Sequence, residues 1–90
     1  MKQKPLFALG MCLGLGDAVD LSRDIVGQCF ERHARGDWGE LCHHDWKENE
    51  VGLTQGLRLF SRYKDRHGTY FYIITEHDRS VTTVLLPDDY

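Results

Sequence analysis

Ninety residues, 41% of them apolar, 28% charged and 11% aromatic, describe an ordinary globular chain, read as a single small domain over residues 1–90. A chain this short buries only about two thirds of its unfolded surface, which excludes a second domain, a repeat array or a large enclosed barrel. A net charge of −3 argues against affinity built on neutralising phosphates, and three cysteines at 12, 29 and 42 make no disulfide framework.

Lys2 and Lys4 precede an uncharged run, PLFALGMCLGLG, with the outline of a signal peptide. Twelve residues are too few to span a bilayer, and Met11 before Cys12 spoils a lipoprotein-type cleavage site. The run is therefore expected to be a strand from Leu6 to Leu13, covered on both faces, leading into a glycine-rich bend. Asp17 to Leu21 suggests a short helical turn, and Ser22 an N-cap. Ile25, Val26, Cys29, Phe30 and His33 then recur on one helical stripe, predicting a helix over 23–35 that Gly36 stops.

Gly36-Asp37-Trp38-Gly39 reads as a tight connection to a second helix, from about His43 to Gln55, which Gly56 terminates. Cys42 and Asp45 have the spacing of a capping box, although cysteine is a poor cap. Trp46, Asn49, Leu53 and Leu57 give this helix a narrow inward stripe. The period then changes: residues 57–64, 69–76 and 81–86 are rich in aromatic and β-branched residues and are separated by two polar hairpin loops. The order β-α-α-β-β-β predicts an α+β fold, a four-stranded mainly antiparallel sheet with two helices packed on one face.

Strand parity divides the sheet residues into two sets. Leu59, Phe71 and Ile73 form an uncharged set suited to the face beneath the helices. The opposite face is then expected to expose Phe60, Tyr70, Tyr72 and Ile74 between Arg58 and Arg62, a composition typical of interface hot spots. The alternative is that the N-terminal segment or a chain terminus folds over it. Charge is segregated as well: residues 17–56 hold nine acids against four bases, residues 57–79 five bases against three acids. An acidic helical layer suits either solvent or a basic surface on a partner.

Cys29, His33, Cys42 and His43 offer soft and borderline donors that zinc accepts, but Cys29 and His33 lie on the apolar stripe, and paired CxxC spacings are missing. Neither metal nor cofactor is expected. Cys42 beside His43 and His44 could make a nucleophile–base pair, yet no orienting residue or oxyanion hole is legible; the expectation is no enzyme. Glu48 and Glu50, like Asp88 and Asp89, read as solvated charges, and Gly10, Gly14 and Gly16 lack the ending of a phosphate loop.

From Gly36 to Tyr90 the wording is distinctive: GDWGELC, GLRLFSRY, HGTYFYIITE and HDRSVTTVLLPDDY. It resembles the plasmid-related proteins, short chains carried on conjugative plasmids, prophages and other mobile elements. The resemblance brings no activity with it; it implies a genetic setting in which small acidic proteins often block host defence, as anti-CRISPR proteins do. The expectation is a cytoplasmic, non-enzymatic inhibitor that occludes a protein partner, such as a nucleic-acid-handling complex, through Arg58, Phe60, Arg62, Tyr70, Tyr72 and Ile74. The alternative is a small nucleic-acid-binding regulator using the same Tyr/Arg face, and a homodimer through that face also stays open.

Overall fold

In a computed structural model the described residues are 5–13 and 23–89. They form β1 (Met11–Leu13), α1 (Arg23–Ala34), α2 (His43–Gln55), β2 (Leu59–Lys64), β3 (Tyr70–Thr75), β4 (Val81–Leu85) and a 3-10 turn at Pro87–Asp89. The fold is α+β, with one four-stranded sheet in the order β1-β4-β3-β2. The β2–β3 and β3–β4 pairs are antiparallel hairpins, and β1 joins β4 in parallel. The bend, helical turn and N-cap expected over residues 14–22 lie outside the described residues.

The sequence stripes become the inner layer. Cys29 of α1 packs with Tyr63, Phe71, Ile73 and Val84, and Ile25, Val26 and Phe30 close around them. Leu59 is buried on the same sheet face, as parity requires. α1 thus covers the middle of that face, while α2 runs along its β2 margin, with Gly52 set against Leu59. Gly52 therefore does more than weaken the helix: a Cβ there would stand 3.0 Å from the Leu59 side chain. α2 ends where expected, at a left-handed Gly56.

Three local expectations are corrected. β1 is a three-residue strand with every residue exposed, not an eight-residue strand covered on both faces, because it lies at the sheet edge, paired with β4 alone. The capping box does not form: Cys42 occupies the N-cap without a side-chain hydrogen bond, consistent with the weak acceptor strength of a thiol. Leu57 falls outside α2 and is exposed rather than part of its inward stripe.

The helix–helix connection is clasped from three directions. Arg32 forks onto Asp37, with Nε donating to Oδ2 at 2.8 Å and a second N–H to Oδ1 at 3.3 Å. Asp37 Oδ1 also accepts from the Gly39 amide, and the Tyr63 hydroxyl donates to the Asp37 carbonyl. The guanidinium holds the Asp37 carboxyl below its ordinary pKa, and burial pushes the Tyr63 phenol up. Gly39 then crosses β2 so closely, at φ 77°, that a Cβ would lie 2.1 Å from the Arg62 carbonyl oxygen.

Arg79 provides the second clasp. It lies in the β3–β4 loop at a left-handed φ of 62°, unusual for a residue with a side chain. Its guanidinium donates to the carbonyls of Gly52 and Leu57, at the C-terminal end of α2 where the macrodipole favours a cation. Arg79→Ala is expected to lower unfolding free energy by about 1–2 kcal/mol, and Arg79→Gly by less, because glycine relieves the left-handed strain. Urea titration of both variants checks this ranking.

Candidate interaction face and buried polar core

The register fixes what the outer face of the sheet carries. Phe60, Arg62 and Lys64 of β2 lie opposite Ile74, Tyr72 and Tyr70 of β3; Tyr72 and Ile74 lie opposite Leu85 and Thr83 of β4, and Met11 and Leu13 extend the row on β1. The two closest contacts on this face run diagonally, as strand twist favours. Phe60 and Tyr72 meet with ring centroids 4.7 Å apart, and the Arg62 guanidinium sits 4.0 Å from the Tyr70 centroid. The Lys64 ammonium lies over the same ring at 5.0 Å. No strand among the described residues contains an aspartate or glutamate, so the charge on this face is cationic.

The six residues singled out in the sequence do share this region, but not equally. Arg58 is exposed, just before β2, and pairs with Glu76 at 3.5 Å. Phe60, Arg62, Tyr70 and Tyr72 are half-buried. Ile74 is a correction: it is only 4% exposed and forms part of the core. It sits on a central strand, flanked by Phe60 and Thr83, so neighbouring side chains cover it. Met11 and Leu13, 64% and 43% exposed, were missed; their apolar character was legible, but their face depended on pairing with β4.

Beside this face, between α2 and β2, lies a cleft of about 380 Å³ lined by Asp45, Glu48, Asn49, Arg58 and Phe60. Asn49, 4% exposed, forms its back wall by gripping the edge of β2. Its Nδ2 donates to the Phe60 carbonyl, and the Phe60 amide donates to its Oδ1 at 3.0 Å. Two residues on, the Arg62 amide donates to the Trp38 carbonyl and the Glu40 amide to the Arg62 carbonyl. The outer edge of β2 is thereby occupied at both Phe60 and Arg62.

Beneath α1 is a buried polar chain that the sequence did not reveal. His33 is 0% exposed, with Nδ1 2.5 Å from Ser61 Oγ and Nε2 2.9 Å from Thr75 Oγ1. Thr75 Oγ1 lies 2.7 Å from Thr82 Oγ1, whose hydroxyl donates to the Leu9 carbonyl. Each hydroxyl has one proton, so Thr75 donates to Thr82, His33 Nε2–H donates to Thr75, and Ser61 donates to Nδ1. The chain fixes a neutral imidazole, and burial, then the nearby Arg79 charge, push its pKa down to about 3. Phe7 and the fully buried Trp38 pack edge-on against the ring.

The Cys/His residues are spread over different surroundings. Both His33 nitrogens are spent on hydroxyls, and Cys29 is in the core with its thiol pKa raised by burial. Cys42, His43 and His44 are exposed at the start of α2. Among the described residues no group of three or more His, Cys, Asp or Glu side chains is placed to hold a metal ion. Nor is any helix among them long and apolar enough to cross a membrane. No family model, curated protein or solved structure matches the chain.

Proposed function

We propose that this chain is a small, non-enzymatic, cytoplasmic protein of a mobile element that docks on a protein partner and occludes it, in the manner of a host-defence inhibitor. The observation that carries this reading is the outer sheet face. Phe60 on Tyr72 and Arg62 on Tyr70 make an organised aromatic–cation patch, continued by exposed Met11 and Leu13, while α1 and the margin-bound α2 pack against the other side. The plasmid-related wording of residues 36–90 supports the genetic setting.

Two observations favour a protein over a nucleic acid. Arg62 and Lys64 already sit over the Tyr70 ring, the surface on which a base would stack. Asp45 and Glu48 flank the same patch across the cleft and would repel a phosphate backbone. The Ser61–His33 pair supports a non-catalytic reading, since it is sealed in the core and its imidazole is a feeble base.

The experiment uses the tagged full-length chain to capture its partner from the native host, with mass spectrometry for identity and calorimetry for affinity. Tyr70→Ala combined with Tyr72→Ala is expected to weaken binding by about 100-fold or more, as paired hot-spot truncations do, with circular dichroism unchanged. Undiminished affinity in a folded double variant overturns the face. Saturable fluorescence anisotropy with single-stranded oligonucleotides at low salt would favour the nucleic-acid reading instead.

A further inference from the structure

The two edges of the sheet are closed by different means. At β2, the backbone of Phe60 and Arg62 is engaged by Asn49, Trp38 and Glu40, which lie within α2 or just ahead of it. At β4 the cover is residues 5–13, which bond to the last turn of α1 and then join β4 as β1. This cover is thin. Only Phe7 and Leu9 are half-buried, while Pro5, Leu6, Ala8 and Gly10 to Leu13 are exposed. Beyond the short β1–β4 ladder, it is tied at three points among the described residues. The Leu6 amide donates to the Ala34 carbonyl at 2.7 Å, the Leu9 carbonyl accepts from the Thr82 hydroxyl at 2.6 Å, and the Met11 amide donates to the Ser80 carbonyl at 2.9 Å.

We propose that residues 5–13 are a strap that opens as one unit while the rest of the fold stays intact, a releasable guard over the β4 edge. Phe7 is its plug. The ring lies 5.3 Å from His33 between centroids, stacks on Trp38 at 6.2 Å, and has the Arg79 guanidinium 5.6 Å from its centre. That guanidinium also holds the Gly52 and Leu57 carbonyls, so the plug bears on the end of α2. The body can stand without the strap, because the core cluster of Cys29, Tyr63, Phe71, Ile73 and Val84 includes no residue from 5–13. Segments with few buried apolar contacts open in cooperative units below the free energy of global unfolding. With the strap away, Thr82 loses its carbonyl acceptor and β4 becomes the sheet edge, its backbone groups open to another strand. This goes beyond the docking reading and does not depend on it.

Native-state hydrogen exchange of the full-length chain, followed by NMR at several urea concentrations below unfolding, tests the strap. The Leu6 and Met11 amides are bonded to different elements, so a shared opening is informative. Both are expected to show one common protection factor, at least about tenfold below that of Ile73 in the central strand. Their exchange should depend only weakly on urea, since little surface is exposed in the opening. In Phe7→Ala the two should fall together, by about tenfold or more, while Ile73 stays protected. Protection and urea dependence equal to those of Ile73 would mean that the segment leaves only with global unfolding. Unequal values for Leu6 and Met11 would mean fraying from one end, and no protection at either would mean that the strap never shuts. Loss of Ile73 protection in Phe7→Ala would make Phe7 part of the body. Each of these four results overturns the strap.

Discussion

Taking the protein from neutral pH to pH 4 is expected to remove about 3 kcal/mol of folding stability through His33 alone. In the folded chain the imidazole titrates at about 3, because burial and then the Arg79 charge disfavour the cation. In the unfolded chain it titrates near its ordinary value of about 6.5. Between those two values the unfolded state binds a proton that the folded state refuses. The stability contribution is therefore complete above pH 6.5, falls by about 1.4 kcal/mol per pH unit below it, and levels off near pH 3. Asp37 acts later, since its depressed pKa contributes stability that is lost only as the pH falls through the carboxylate range.

Urea midpoints measured from pH 7.5 to 4 should show this slope in the wild-type chain and lose it in His33→Gln. Glutamine keeps one donor and one acceptor for the Ser61 and Thr75 hydroxyls but does not titrate. His43, His44, His67 and His77 are exposed, so the buried ring is the histidine whose substitution should flatten the curve. A loss of this size is large against the 5–15 kcal/mol total typical of a small domain.

The contrast between His33 and the outer face shows what local pattern encodes. The α1 stripe placed His33 inward correctly, and strand parity separated Leu59, Phe71 and Ile73 from Phe60, Tyr70 and Tyr72. Those are properties of period, fixed within a few residues. What His33 meets across the core comes from β2, β3 and, through Thr75, β4, and no short window contains that chain. The same limit explains β1, whose parallel pairing with β4 joins residues some seventy positions apart. It also explains Ile74: parity assigned its face, but its burial depends on the neighbours that sheet order supplies. The cleft was invisible for a related reason. Asp45 read as half of a capping box and Glu48 as a solvated charge until Asn49 brings α2 alongside Phe60.

Asn49→Ala is expected to cost about 3 kcal/mol, even though alanine is the better helix former by about 0.5 kcal/mol. The carboxamide pairs with both the amide and the carbonyl of Phe60, as a neighbouring strand would. Truncation leaves that donor and acceptor with no group of alanine able to replace either bond. Asn49→Asp should be comparably damaging near neutral pH, because it keeps the acceptor for the Phe60 amide but sets a carboxylate against the Phe60 carbonyl. Denaturant unfolding measures both losses. A second consequence separates this role from simple packing: with α2 released, β2 presents an unpaired edge at Phe60, and unpaired strand edges recruit other strands. Sedimentation velocity of Asn49→Ala should therefore show concentration-dependent association that the wild-type chain lacks. Asn49→Leu, which restores side-chain volume without the polar grip, should associate just as readily.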